Sequence, residues 1–155
     1  MAYSLRRATP ADIPDITALF GASIRTLCVR DYSLAQVDAW AARGQDHDRW
    51  LERIRQQYFL LAEGGGSLAG MASLRPDGYL DMMYVSPAHV RRGVGFLLLS
   101  QLMEEARIQG HGLLTSDVSR TARPFFERQG FRVVRAQEVS LGEVLLTNYH
   151  MWCPI

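Results

Sequence analysis

Apolar residues Ile13, Ile16, Leu19, Phe20, Ile24 and Leu27 recur three or four positions apart, which predicts an amphipathic helix from Pro10 to about Cys28. Thr9 is placed to cap it, Pro10 suits its first turn, and a short strand around Leu5 precedes it. A second helix opens at Ser33-Leu34-Ala35-Gln36, with Val37, Trp40 and Ala41 on its buried side. A third begins near Asp48 and uses Trp50, Leu51 and Ile54. The pattern then shortens. Tyr58 to Glu63 and Ser67 to Leu74 are brief apolar runs joined by Gly64-Gly65-Gly66, a hairpin signal because glycine reaches positive φ. Pro76-Asp77-Gly78 turns the chain into a strand from Tyr79 to Val85. Leu97, Leu98, Leu102, Met103 and Ala106 mark a long helix from Gly93 to about Gln109, closed by Gly110. A strand (Leu113 to Val118), a short helix (Thr121 to Gln129), a strand (Phe131 to Val139) and a last strand from Gly142 to about Trp152 complete the chain. Hairpins followed by strand-helix-strand-helix-strand imply an α/β fold: a mixed sheet, antiparallel first and parallel later, with helices on both faces.

Composition narrows the classes. A chain of 155 residues, 48% hydrophobic, supports one core, so residues 1–155 are expected to form a single domain. A formal charge of +1 gives no basic field for nucleic acid or an anionic membrane, so any anion must be held locally. Met1 to Pro14 lacks the apolar core of a signal peptide, and no apolar run approaches membrane-spanning length. Cys28 and Cys153 form no CxxC, which points to a reducing, cytoplasmic setting. Gln45-Asp46-His47-Asp48 is a polar turn able to cap the third helix, and no metal site is expected there. The expected assembly is a monomer or homodimer.

The chemistry concentrates between Tyr84 and Leu99. Strand, Ser86-Pro87, Arg91-Arg92, Gly93-Val94-Gly95 and an amphipathic helix follow in one uninterrupted order. Glycines let the backbone approach a ligand, and amides opening onto a helix N-terminus favour phosphate. This order resembles the GCN5-related N-acetyltransferase (GNAT) superfamily, whose loop reads Gln/Arg-x-x-Gly-x-Gly/Ala. Gly93 and Gly95 match it. Downstream, Ala122, Phe125, Gly130 and Phe131 match the family's Asn-x-x-Ala-x-x-Phe-Tyr and Gly-Phe positions. Small bacterial members share the character of Tyr32-Ser33, Gln36, Trp40 and Pro124 to Arg128.

The resemblance implies a six- or seven-stranded sheet splayed at the cofactor site and an acetyl-CoA-dependent N-acetyltransferase acting on a primary amine of a small molecule or peptide. It implies cofactor contacts from Met83, Tyr84, Val85, Val90, Arg91, Arg92, Gly93, Val94, Gly95, Phe96, Ser119, Phe125 and Phe126. Three positions depart from the family. Val90 replaces Gln or Arg, Ser119 replaces the Asn near the pantetheine arm, and Phe126 replaces the Tyr that serves as general acid. The proton donor then falls to Tyr149, Tyr84 or Ser119, or else the chain is an acyl-CoA-binding module with impaired catalysis. Asp81 is the expected base, because alternation along its strand would set it on the face of Met83 and Val85.

Overall fold

The computed structural model describes residues 2–155. Its strands are β1 (Ser4–Arg7), β2 (Tyr58–Gly64), β3 (Ser67–Leu74), β4 (Tyr79–Val85), β5 (Leu113–Ser119), β6 (Arg132–Leu141) and β7 (Val144–Pro154). Its helices are α1 (Ile13–Leu27), α2 (Leu34–Ala42), α3 (His47–Gln56), α4 (Val94–Ile108) and α5 (Arg123–Arg128). The strands form one mixed sheet in the order β1-β2-β3-β4-β5-β7-β6. The parallel part is a single pair, β4 with β5. The tight turn after Leu141, with Gly142 at φ 66°, folds β7 back along β6, so β7 lies antiparallel between β5 and β6.

Each face of the sheet carries its own core. Leu98, Leu99 and Leu102 of α4 pack on Leu60, Leu80 and Leu114, while Ile16, Phe20, Ile24 and Trp50 of α1 and α3 cover Phe59, Leu61 and Met71. Each fully buried side chain of this kind stabilises the fold by about 1.5–3 kcal/mol. No helix among the described residues is long and apolar enough to cross a membrane.

Three local devices set up the functional region. At Gly70 a Cβ would lie 2.9 Å from Val94 Cγ1 and 3.0 Å from Leu98 Cδ1, so the missing side chain lets the start of α4 press onto β3. At the start of α2, Ser33 and Gln36 cap each other reciprocally, and Gln36 Nε2 also donates to the Leu145 carbonyl at 2.9 Å. This ties α2, and Trp40 with it, to β7. Tyr32 is the third device. Its buried hydroxyl accepts from the Arg120 backbone N–H at 2.8 Å and donates to the Thr147 carbonyl at 2.6 Å, clamping the β5–α5 connection to β7.

Tyr32→Phe leaves both backbone groups without that partner and is expected to lower stability by about 1–3 kcal/mol. Urea unfolding measures this, and a wild-type midpoint and slope would show that the clamp contributes nothing.

Candidate active site

β4 and β5 share only two paired positions, Tyr79 with Thr115 and Leu80 with Ser116, and then part. The Ser116 hydroxyl donates to the Leu80 carbonyl at 2.8 Å, fixing the point of separation. Beyond it lies a groove of about 530 Å³. One end is the loop after β4. There Pro87–His89 forms a short 3-10 turn, Arg91 sits at φ 58°, and Gly93 caps α4 at φ 82°. No side chain caps α4, so the N–H groups of its first turn face the groove's end without intrahelical partners. The helix dipole adds positive charge at the same place. A left-handed Arg91 costs about 1–2 kcal/mol, a strain held where backbone donors converge.

Val85, Val90, Arg91, Gly93, Val94 and Phe96 line this end of the groove. Met83, Tyr84, Ser119, Phe125 and Phe126 also line the groove. Arg92 lies in the same loop but outside the lining. Gly95 has a different role from Gly93: a Cβ there would stand 3.3 Å from Phe125 Cζ, so its missing side chain lets the Phe125 ring close against α4. His89 is buried rather than exposed, and its ring nitrogens meet the Tyr3 hydroxyl at 3.0 Å and Ser67 Oγ at 3.4 Å.

A second cavity of about 160 Å³ opens at the parting of β4 and β5. Its walls are Leu80, Val139, Leu141 and Leu146, and its polar lining is Asp81, Ser116, Asp117, Ser119 and Asn148. Trp40, Met83, Tyr84, Ser119, Ala122 and Phe126 line both cavities, so the two spaces meet across that ring of side chains.

Asp81 does not follow the alternation expected of β4. Ser73 pairs with Met82 and Leu74 with Leu80, leaving Asp81 as the extra residue of a β-bulge. Leu80 joins the α4-side core, while Met82 joins the core under α1 to α3. Asp81 therefore leaves the face of Met83 and Val85 and turns toward α3. Its Oδ2 accepts from Arg53 Nε at 3.2 Å and Gln57 Nε2 at 2.8 Å, and Oδ1 has no side-chain partner.

Of the three candidate proton donors, Tyr84 and Ser119 stand at the junction and Tyr149 does not. Burial holds the Tyr84 phenol well above its ordinary pKa, with Trp40 offsetting part of the effect. Ser119 Oγ accepts from the Ala122 N–H at 3.0 Å, which leaves its own proton free to donate. Tyr149 lies outside both linings, with the Arg123 guanidinium 4.5 Å from its ring centre. Its place opposite Val118 on β5 turns it to the α4-side core. Phe126 is 2% exposed and packs edge-on against Phe125 and Phe131. Cys28 lines the groove, but burial raises its thiol pKa, which disfavours the nucleophilic thiolate.

Sequence reasoning passed over Asp117. Burial would raise its carboxyl, but hydrogen bonds from Tyr79, His150 and Gln137 outweigh that and hold it below the ordinary carboxylate range. The donors stand at 2.7, 2.8 and 2.7 Å respectively. Alternation along β5 sets Asp117 on the face opposite Ser116 and Val118, where it reads as an ordinary outward strand carboxylate, so it carried no signal. Gln57 and Asn148 carried none, because their partners and their place in the walls arise from strand and helix contacts distant in sequence.

Residues 28–152 match the family model described as the acetyltransferase (GNAT) domain. The chain is 35% identical over 147 residues to the N-acetyltransferase YafP of Escherichia coli K12, covering 95% of this chain and 93% of that protein. A Rhodopseudomonas palustris crystal structure described as a GCN5-related N-acetyltransferase superposes with a TM-score of 0.96 at 34% identity, over 100% of this chain and 97% of that one. The PaiA N-acetyltransferase of Thermoplasma acidophilum, crystallised with coenzyme A, shares the fold at a TM-score of 0.82 and 18% identity over 100% of both chains. With a phosphate-ready loop opening onto α4, a parted β4–β5 pair and these relatives, the chain belongs to the GNAT family of N-acetyltransferases.

Proposed function

We propose that this chain acts as a single N-acetyltransferase domain, moving an acetyl group from acetyl-CoA directly to a primary amine of a small molecule or peptide within a ternary complex. The observation that carries this is the shared wall. A long groove ending in free backbone donors and a compact cavity with carboxylates meet at Trp40, Met83, Tyr84, Ser119, Ala122 and Phe126. A module that only held acyl-CoA would have no use for the second cavity.

The residues present fit coenzyme A. The first-turn amides of α4, Gly93 and Arg91 would hold the pyrophosphate, and the open edge of β4 from Met83 to Val85 would receive the pantetheine arm. Bound there, acetyl-CoA supplies an activated acetyl thioester. The unpaired amides of β4 donate to the carbonyl oxygen as negative charge develops on it. An alkyl ammonium, with a reference pKa of about 10.4, must lose a proton before it attacks. Asp81 receives that proton through water, its Oδ2 held by Arg53 and Gln57 and its Oδ1 free. Tyr84 and Ser119 supply hydrogen bonds near the departing sulfur. A thiol of reference pKa about 8.5 leaves without a stronger acid, which accommodates phenylalanine at position 126.

Thiol release from acetyl-CoA should therefore depend on added amine. All 17 basic residues are arginine, so lysine side chains of the protein itself contribute no background. Release that is independent of amine would overturn the transfer reaction. Asp81→Asn is expected to lower kcat by about 10²-fold while CoA affinity stays within about twofold. An unchanged kcat over about pH 6–9 would remove Asp81 from the mechanism.

Gly93→Asp places a carboxylate at the mouth of the loop, where a Cβ meets no atom within 4 Å. The fold should survive, since aspartate tolerates left-handed backbone and suits a helix start, while CoA affinity should fall by about tenfold or more. Calorimetry giving the wild-type affinity would place the phosphates elsewhere.

A further inference from the structure

The compact cavity also restricts what the acceptor is. Its apolar walls, Val139, Leu141 and Leu146, come from the β6–β7 hairpin, and Trp40 faces them from α2. At about 160 Å³ it matches the roughly 150 Å³ of an engineered cavity that binds benzene, so it takes an apolar body of about one ring.

The charged groups in that lining are of one sign. Among the described residues, no Arg, Lys or His lines the cavity, and both charged residues that do, Asp81 and Asp117, are carboxylates. They stand one step beyond the Leu80–Ser116 pair on adjacent strands. Asp81 shares its charge with Arg53 at 3.2 Å. Asp117 receives two hydrogen bonds from neutral groups, Tyr79 and Gln137, and one from His150 Nδ1 at 2.8 Å. Asn148 adds a buried amide oxygen that no protein donor reaches. The cavity offers carboxylate and amide acceptors to a cation, while a carboxylate would meet only neutral donors such as Ser119 and no opposite charge in the lining.

We infer that the acceptor is a compact amphipathic amine bearing no carboxylate beside its amino group, and that Asp117 enforces this choice. The inference rests on the transfer reaction proposed above. An ammonium is drawn in by the two carboxylates. An α-amino acid brings a third negative charge into the same small space, and like charges set together at a binding surface are strongly disfavoured. An amine beside an amide is less basic than an alkyl amine, as the reference value for a chain-terminal α-amino group shows, whereas a neighbouring carboxylate keeps the ammonium of a free amino acid more basic.

The test compares phenethylamine, phenylalanine and phenylalaninamide as acceptors with the wild-type protein. The three share one ring, the last two differ in charge at nearly constant size, and each kcat/KM is referred to the neutral fraction of its amine so that basicity does not enter the comparison. The expected kcat/KM for phenethylamine and for the amide exceeds that for phenylalanine by about tenfold or more, and the gap shrinks as salt is raised. Asp117→Asn, checked for its melting temperature, should narrow the gap several-fold. Equal turnover of all three, or an amide as poor as the acid, would overturn the inference, the second because size and not charge would then decide. The same holds if Asp117→Asn melts like the wild type and leaves the gap unchanged. If none of the three, nor any other amine, releases thiol, the transfer reaction itself fails.

Discussion

β4 and β5 stay together for two residue pairs and then separate, leaving one edge of β4 from Met83 to Val85 without a strand partner among the described residues. Buried or half-buried backbone groups need hydrogen bonds, and an open strand edge is a standing invitation to an extended ligand. The sheet sustains this opening because both strands are secured on their other sides. β3 pairs with β4 from Leu80 to Val85, and β7 pairs with β5 along its whole length. The groups that bear on chemistry are arranged around the gap. α4 starts at its mouth, the Asp81 bulge lies at its root, and α5 closes one wall through Phe125 and Phe126.

Much of this was legible along the chain. The helix over Ile13–Leu27, the hairpin at Gly64-Gly65-Gly66 and the loop ending in Gly93 each follow from local rules: apolar spacing, positive φ and helix capping. The side on which Asp81 points was not legible. Alternation assigns it to the face of Met83 and Val85, and only the mismatch between Ser73–Met82 and Leu74–Leu80 shows the extra residue. Tyr149 also lies elsewhere than expected, outside the lining of both cavities. Its pairing with Val118 sets it in the α4-side core beside Phe125 and Phe126, a placement that depends on strand register and not on local sequence. The parallel half of the sheet shrank to one pair because the β6–β7 hairpin reverses direction, which strand count alone does not reveal.

With phenylalanine at position 126, the polar groups around the junction fall into two sets. The donors at the junction, Tyr84 and Ser119, are neutral hydroxyls, and burial makes the Tyr84 phenol a weaker acid still. They suit hydrogen bonding to charge better than full proton transfer. Carboxylates lie on the side away from α4, where Arg53 and Gln57 hold one and Tyr79, Gln137 and His150 hold the other. In the proposed transfer, proton removal is set apart from thioester binding, and the acceptor occupies the space between.

Direct transfer across the shared wall is the central claim, and steady-state kinetics tests it most directly. Initial rates are measured while acetyl-CoA and an accepted amine are both varied, with intact-protein mass spectrometry on samples given acetyl-CoA alone. The expected result is a family of double-reciprocal lines that intersect, with no acetyl group carried by the protein. Parallel lines together with acetylated Cys28, the buried thiol that lines the groove, would contradict direct transfer and establish a covalent route.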